Sequence, residues 1–236
     1  MFPGFEQAAA LFAAEGVDVS RETYGLLQKY AEFLVSYNEK VNLTAVTEGD
    51  EILRKHFLDS LLLLQKAPGC FPEGAAVLDI GSGAGFPGVP LALVRRDLRM
   101  TLMDSLQKRI TFLEQLCGLL GVACTAIHGR AEQLAKTDLR ESFDTVTARA
   151  VAALPTLAEY SLPYVKLGGH WLAMKGPGEE IKPALQAIRL LGGELTETIS
   201  YTLPGGDERV IYVVKKCKTT PTKYPRNSSQ IKQKPL

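Results

Sequence analysis

The 236-residue sequence has no long apolar run, few cysteines and few histidines. Its longest apolar stretches, such as 61–64 and 89–94, are far shorter than the roughly 20 residues that cross a bilayer, so a membrane is not an expected partner. The four cysteines form no CxxC pair and have no histidines at metal-ligand spacing, which argues against a zinc site or a disulfide framework. Because a basic signal-peptide start is also missing, we expect a cytoplasmic protein without a metal.

A large excess of positive charge is missing too, since the formal net charge is only +1. The last 22 residues nevertheless carry seven Lys or Arg and no acid, which leaves −6 for residues 1–214. A body of that sign does not attract nucleic acid through its overall field, so DNA is not expected as a partner and RNA would bind at a local patch or at the tail. Residues 217–236 are predicted to form a basic, disordered tail.

The apolar pattern divides the rest of the chain into two regions. Apolar residues follow helical spacing over 22–37 and again over 48–66, which predicts an N-terminal helical cap over residues 1–72. From residue 73 to 216, short β-rich runs alternate with helical stretches, as in a parallel sheet with crossover helices. The last two β runs, 194–203 and 209–216, are joined by the turn PGGDE and are predicted to be antiparallel. The expected fold is therefore α/β, with a Rossmann-like, seven-stranded mixed sheet.

A glycine-rich stretch, VLDIGSGAGFPGVPLAL at 77–93, follows the first predicted strand. Gly81, Gly83 and Gly85 permit a tight turn and allow a ligand to approach the backbone, at the strand end where such sheets bind ligands. The third glycine of the dinucleotide motif is absent, because its position holds Phe86. With Asp79, the segment DIGSGAG resembles the DxGxGxG motif of class I S-adenosylmethionine-dependent methyltransferases. A carboxylate suits the ammonium and sulfonium of that ligand and would repel a pyrophosphate.

Two further acids follow the next predicted strands. Asp104 ends the second strand, where a carboxylate can accept hydrogen bonds from both ribose hydroxyls. Glu132 follows the third strand, where it and the backbone of Ala131 can face the adenine edge. Either acid could instead be a helix cap facing solvent. Acids at three successive strand ends favour S-adenosylmethionine over NAD as the ligand.

The absence of two known sequence signatures limits which methyl acceptors are possible. No cysteine lies just after the fourth or fifth predicted strand, where cytosine C5 methylation needs a nucleophile. The place of the NPPY-like tetrapeptide of amine methyltransferases reads TARA, at 147–150. An acceptor with a free lone pair, such as guanine N7, needs neither a covalent step nor a base, and requires only in-line placement against the methyl group.

Several separate motifs resemble one family, the bacterial small-subunit (16S) ribosomal RNA guanine-N7 methyltransferases, also called glucose-inhibited division protein B. The resemblance runs from about residue 38 to 216. It rests on NLTAV at 42–46, RKHFLDSL at 54–61, DIGSGAGFPGVPLAL at 79–93, LMDSLQKRITFL at 102–113, GRAE at 129–132, TARA at 147–150 and MKG at 174–176. It implies a class I methyltransferase fold with a helical cap, S-adenosylmethionine as methyl donor, and direct displacement by a guanine N7 of 16S ribosomal RNA or the small ribosomal subunit.

Carried over by position, the resemblance assigns site residues. The donor-site residues are Gly81, Phe86, Ala131, Glu132 and Arg149. Phe86 would pack on the ligand, and Arg149 would hold the methionine carboxylate or the guanine O6. Arg149 could alternatively form a structural ion pair with Asp144.

The second predicted helix carries a polar stripe in which Lys55 and Asp59, and His56 and Ser60, are four residues apart. Such a stripe is commonly a solvent face. The resemblance instead implies that Asn42, His56 and Asp59 close over the active site, with Asn42, His56 and Arg149 positioning the reactants rather than acting as general bases.

Other functions stay open at this point. Lys175, after the fifth predicted strand, is a candidate contact to RNA or methionine, or a solvated strand-end lysine. The chain could methylate a small molecule or a protein, or could be a non-catalytic S-adenosylmethionine-binding partner of RNA or the ribosome. An NAD-dependent reductase is disfavoured by Asp79 and by the missing glycine.

Overall fold

The computed structural model describes residues 2–149 and 151–236; Ala150, the last residue of the TARA motif, lies outside them. A seven-stranded sheet has the order β3-β2-β1-β4-β5-β7-β6. The first five strands are parallel to one another, and β7 is antiparallel to both β5 and β6. This confirms the predicted fold class. The strands are β1 (Ala76–Ile80), β2 (Arg99–Asp104), β3 (Cys124–His128), β4 (Phe143–Arg149), β5 (Val165–Lys175), β6 (Gly193–Thr202) and β7 (Glu208–Lys216).

Helices cover both faces of the sheet, because successive side chains of a strand point to opposite sides. On β5, Leu172 and Met174 face the cap, whereas Trp171 and Ala173 face the C-terminal helices. The helices are α1 (Phe5–Ala14), α2 (Arg21–Val41), α3 (49–66), α4 (Gly88–Val94), α5 (Gln107–Leu120), α6 (Ala131–Leu134), α7 (Leu154–Ser161), α8 (Leu185–Leu190) and α9 (Ser228–Gln233).

The cap helices pack on the sheet through aromatic side chains. Phe33 of α2 stacks on Phe112 of α5 with ring centroids 5.4 Å apart. Tyr30 of α2 stacks on Phe86 at 5.1 Å and 7°, and its hydroxyl donates to the carbonyl of Ala84. Cap and sheet share one apolar core, so the boundary at residue 72 stays a prediction. Helix α1 was not predicted, whereas α2 begins as expected beside its N-cap Ser20.

The third cap helix is not regular. It begins and ends as α-helix, over Gly49–Glu51 and Asp59–Lys66, but Ile52–Leu58 between them is π-helical. A π turn adds a residue to each turn and is frequent at functional sites. It re-aims the polar residues of the helix, so their spacing of four no longer describes which of them share a face.

The C-terminal tail is ordered, so the prediction of disorder was wrong. Tyr224 and Ile231 are buried, and Arg226 forms an ion pair with the fully buried Glu159 of α7 at 2.6 Å. A buried carboxylate is costly unless it is paired or hydrogen-bonded, and this tail supplies a cationic partner. Its lysines suggested a solvated segment, while its two apolar anchors and one arginine determine the packing.

Within residues 2–149 and 151–236, no helix combines the length and apolar character needed to span a bilayer.

Candidate functional site

A cleft of about 510 Å³ opens at the carboxyl edge of the sheet. We call it the strand-end cleft. It brings together residues from the end of β2, the segment after β3, the glycine turn and α7, as expected where parallel strands end side by side. Its walls include Gly81, Asp104, Arg109, Gly129, Arg130, Ala131, Glu132, Val151 and Tyr160.

Gly81 forms the floor of this cleft. Its backbone N–H donates to the carbonyl of Met103 on β2 at 2.8 Å, and its φ of +68° is a left-handed conformation that glycine adopts without strain. A Cβ there would lie 2.7 Å from a methyl carbon of Val151. Any side chain at Gly81 would therefore displace Val151, which lines the cleft.

Asp104 lies at the end of β2 with only 2% of its surface exposed. Its carboxylate accepts hydrogen bonds from the N–H groups of Gly83 and Leu106, each at 3.0 Å, and pairs with Arg109 at 3.2 Å. Asp104 therefore fixes the glycine turn while also lining the cleft. Its proposed contact to a ribose stays a prediction.

Asp79 lies beneath the turn rather than in the cleft. It is fully buried and accepts hydrogen bonds from the Gly88 N–H at 3.2 Å and the Thr147 hydroxyl at 3.1 Å. Burial raises the pKa of Asp79 to about 6, against these hydrogen bonds, which lower it. The structure thus gives Asp79 a role in shaping the turn, and a direct ligand contact stays a prediction.

The third strand end is arranged as expected. Glu132, 7% exposed, and Ala131 both line the cleft. The carbonyl of Ala131 accepts a hydrogen bond from Tyr164 at 2.6 Å, which holds the start of α6 in place. Their contact to adenine is untested.

Gly85 and Phe86 face the cap. A Cβ on Gly85 would lie 2.5 Å from the Tyr30 hydroxyl oxygen, so this glycine allows α2 to approach the turn. Phe86 is 4% exposed and stacks on Tyr30 and on His56, the latter with centroids 4.4 Å apart. The structure shows Phe86 joining turn and cap, and its packing on a ligand remains a prediction.

A second cavity, of about 390 Å³, lies between the cap and the ends of β4 and β5. We call it the cap pocket. Arg149 lines this pocket, and Val151, two residues later, lines the strand-end cleft. The cap pocket is lined by Val46, Lys55, His56, Asp59, Arg149, Met174, Lys175, Gly176, Glu179 and Arg209.

Arg149 is held from several sides in the cap pocket. Its Nη1 donates to the Lys55 carbonyl at 3.0 Å and to Asp59 at 3.2 Å. Its Nη2 lies 3.2 Å from Nδ1 of His56, and its guanidinium carbon is 5.0 Å from the Phe86 ring centroid. The alternative partner Asp144 pairs with Lys166 instead, at 2.9 Å. A planar guanidinium held this way is pre-oriented for recognition.

His56 is neutral and fixed in orientation. Burial and the Arg149 charge lower its pKa to about 3. Nδ1 of His56 lies 3.2 Å from Nη2 of Arg149 and 3.1 Å from the Lys55 carbonyl oxygen, and Nε2 lies 2.9 Å from the Thr44 hydroxyl oxygen. His56 therefore serves as a spacer between the cap loop and Arg149, as a positioning residue would.

Asp59 is the centre of a polar network that links cap and sheet. It is 2% exposed. Besides Arg149, it accepts a hydrogen bond from the Tyr201 hydroxyl of β6 at 2.8 Å and lies 3.7 Å from Nε of Arg209 on β7. The polar stripe of α3 is therefore buried against the sheet and is not a solvent face.

Two candidates lie elsewhere or are already paired. Asn42 is exposed in a left-handed conformation at the end of α2 and is not among the residues lining the cap pocket, so its predicted role has no support in this geometry. Lys175 is 6% exposed, pairs with Glu179 at 2.9 Å and donates to the carbonyl of Ala152. It is not the solvated strand-end lysine of the alternative interpretation.

Sequence reasoning missed Thr44, Tyr160, Tyr201 and Arg209. Thr44 lies in the NLTAV motif, which could have identified it, whereas the other three carry no local signal. Over residues 2–149 and 151–236, no group of three or more His, Cys, Asp or Glu side chains is placed to hold a metal ion.

The lowered pKa of His56 predicts a pH-dependent stability. Below the unfolded value of 6.5, the unfolded chain binds a proton at His56 that the native protein excludes until about pH 3. Native stability should therefore decrease as the pH falls, by about 2 kcal/mol from this residue between pH 6.5 and 5. Urea unfolding of the wild type and of His56→Gln at pH 5, 6 and 7.5 measures it.

The comparison with His56→Gln is needed because Asp79 acts in the opposite direction. Its pKa, raised to about 6, makes the native state hold a proton that the unfolded state releases, so its contribution decreases as the pH rises from about 4 to 6. Asp79 is present in both proteins and cancels in their difference. Parallel stability curves for the two proteins would contradict a neutral, buried His56.

Comparison with known proteins shows which family the sequence matches. The family described as "GidB: rRNA small subunit methyltransferase G" matches residues 23–202. The chain is 43% identical over 226 residues, 94% of each chain, to a "Ribosomal RNA small subunit methyltransferase G" of Clostridium botulinum (strain Eklund 17B / Type B). It is 48% identical over 212 residues, 88% of this chain and 89% of the other, to the protein of that name from Lactobacillus delbrueckii subsp. bulgaricus.

Solved structures share the fold at low sequence identity. A mutant of MtNAS in complex with S-adenosylmethionine superposes with a TM-score of 0.53 at 20% identity, over 82% of this chain and 73% of the other. The arrangement of strands is therefore that of the class I S-adenosylmethionine-dependent fold.

Proposed function

The chain belongs to the rRNA small subunit methyltransferase G family, and from this we propose that it transfers a methyl group from S-adenosylmethionine to N7 of a guanine in 16S ribosomal RNA. The observation that carries the proposal is the pair of cavities on either side of the end of β4. The strand-end cleft would hold the donor, and the cap pocket, two residues away along the chain at Arg149, would hold the acceptor base.

The strand-end cleft suits the donor. Gly81 lines the cleft beside Val151, where a Cβ would collide with the Val151 side chain, and the acids Asp104 and Glu132 lie at successive strand ends. S-Adenosylmethionine supplies a methyl group on a sulfonium, which a nucleophile with a free lone pair can accept directly. A cleft volume of about 510 Å³ is within the range of small-molecule sites.

The chain's own residues orient the acceptor. Arg149 is fixed by Asp59, His56 and the Lys55 carbonyl. Its side chain is therefore already ordered before it binds a guanine O6. It should not bond N7, because that would occupy the reacting lone pair. N7 carries no proton, so no general base is needed, in agreement with a neutral His56 whose nitrogens both have partners. Placement supplies the rate enhancement.

The cationic groups near the cap pocket are largely engaged with acids. Lys55 pairs with Glu51 at 2.8 Å and lies 3.7 Å from Asp207, and Lys175 pairs with Glu179. We propose that phosphates bind at the exposed cap and tail cations, and that the small ribosomal subunit or its RNA is the partner. Because the substrate is ribosomal RNA, we also propose that the protein acts in the cytoplasm, without a membrane or DNA partner.

Methyl transfer from radiolabelled S-adenosylmethionine to isolated small subunits and to their naked RNA tests the function. We expect label in the RNA and strand cleavage specific for 7-methylguanosine at one position. The matched control is a short RNA spanning that position in which a carbon replaces N7, and it should accept no methyl group.

Two results would contradict the proposal. Label on an exocyclic amine or on a pyrimidine would show that the acceptor chemistry is wrong. Tight binding of S-adenosylmethionine without transfer to any RNA would identify the alternative, a non-catalytic partner of RNA or the ribosome.

A further inference from the structure

The ordered tail ends at the strand-end cleft. Ser228 and Lys232, both on the short helix α9, line this cleft together with the ends of β2 and β3. They come from a segment outside the family match, which ends at residue 202. Nothing in the motifs of the sequence connects them with the donor.

The tail is fastened by a buried ion pair. The Nη2 of Arg226 lies 2.6 Å from one oxygen of Glu159, its Nε donates to the other at 3.0 Å, and its backbone N–H donates to that same oxygen at 2.8 Å. Glu159 is fully buried, so the tail cannot leave without exposing an unpaired acid to an apolar environment. This contact makes the position of α9 a fixed part of the fold.

A second set of contacts holds the tail before α9. The Arg140 guanidinium donates to the carbonyls of Thr220 at 2.7 Å and Tyr224 at 3.0 Å. Within α9, Ile231 is fully buried, and Asn227 and Gln230 form a reciprocal capping box, which fixes the start of the helix. Lys232, next to Ile231, is thereby held at the cleft.

The anchor and the cleft are also joined through α7. Glu159, which binds the tail, is followed directly by Tyr160, which lines the cleft. The same helix therefore carries the attachment point of the tail and part of the cleft wall, so the tail and the cleft form one rigid arrangement.

We propose that the C-terminal segment 219–236 is a wall of the donor site, in which Lys232 and Ser228 bind the adenosine part of S-adenosylmethionine. This inference rests on the proposed function. Asp104, Ala131 and Glu132 line the same cleft at the two strand ends where this fold holds ribose and adenine. An ammonium group has only donors and the ring nitrogens of adenine are acceptors, so the lysine complements the carboxylates, which accept from ribose hydroxyls.

The test compares Lys232→Met with Lys234→Met. Methionine keeps a long side chain and removes the ammonium, and Lys234 is an exposed residue of the same tail that does not line the cleft. Calorimetry gives the dissociation constants for S-adenosylmethionine and for methylthioadenosine, which lacks the amino-acid end. For Lys232→Met we expect both constants to rise about tenfold, as for loss of one charge-assisted hydrogen bond, with Lys234→Met unchanged.

Equal affinities of the two variants would overturn the inference. So would a loss for S-adenosylmethionine without a loss for methylthioadenosine, since Lys232 would then act at the methionine end. Amide hydrogen exchange gives a readout independent of affinity, and residues 228–233 should exchange more slowly when methylthioadenosine is bound. If the wild type bound neither ligand, the proposed donor would be wrong; wild-type binding with no effect of Lys232→Met rejects the tail wall alone.

Discussion

Replacing Gly81 by valine should reduce the affinity for S-adenosylmethionine at least 100-fold while the protein still folds. The substitution places a branched side chain in the floor of the strand-end cleft, where even a Cβ would lie 2.7 Å from Val151. The left-handed backbone at φ +68° adds strain of about 1–2 kcal/mol. Calorimetric titration with the donor measures the affinity, and circular dichroism follows the fold.

Gly74→Val is the matched control for strain. Gly74 has φ +67° and no atom within 4 Å of the position of a Cβ, and it lies away from the cleft. Both variants carry the same backbone strain and only Gly81→Val adds the clash with Val151, so Gly74→Val should bind the donor with wild-type affinity. Normal donor binding by a folded Gly81→Val protein would mean that the donor does not lie over this turn.

Replacing Arg149 by lysine should lower kcat for RNA methylation about 100-fold, as expected when a positioning contact is lost. Lysine keeps the charge but cannot bond Asp59, the Lys55 carbonyl and His56 at once, as the guanidinium does. Because Arg149 lines the cap pocket, the affinity for S-adenosylmethionine should change less than about threefold, well under the 1.4 kcal/mol of a tenfold change.

Arg209→Lys is the matched control. It shows whether loss of a planar guanidinium matters specifically at Arg149 or at any arginine of the cap pocket. Arg209 also lines the cap pocket and lies near Asp59, but at 3.7 Å, so its replacement should lower kcat much less. Single-turnover rates and donor titrations of both variants give the two readouts. An unchanged kcat for Arg149→Lys would show that Arg149 acts only as a charge, and equal losses in the two variants would show no special role for its planar contacts. A large loss of donor affinity would assign Arg149 to the methionine carboxylate.

The parts that sequence reasoning predicted are those determined by local pattern. The seven strands, α2 and the glycine turn follow from alternation, helical spacing and the need for a positive φ at Gly81. Asp104, Ala131 and Glu132 were placed at one edge because parallel strands end together. These inferences use only neighbours in sequence and the topology of a doubly wound sheet.

The contacts that were not predicted join residues far apart in the chain. The Asp59–Tyr201 hydrogen bond spans 142 positions and the bonds between Glu159 and Arg226 span 67, so no spacing rule connects either pair. Spacing rules likewise do not predict the π-helical turns over Ile52–Leu58. The lysine-rich composition of the tail also gave no sign of its packing. The tail is held in place by the buried side chains of Tyr224 and Ile231 and by the ion pair between Arg226 and Glu159.

The network around Asp59 has a consequence for how a guanine reaches the enzyme. Asp59 connects a cap helix, β4 and the final hairpin. A hinge opening between cap and sheet would therefore leave a buried carboxylate and at least one arginine without partners. We therefore expect the binding site of the protein to be rigid and preformed. The RNA would change its conformation instead, and the target base would leave its stack before methylation. Much of the selectivity for one nucleotide would then reside in how easily each guanine of the RNA unstacks.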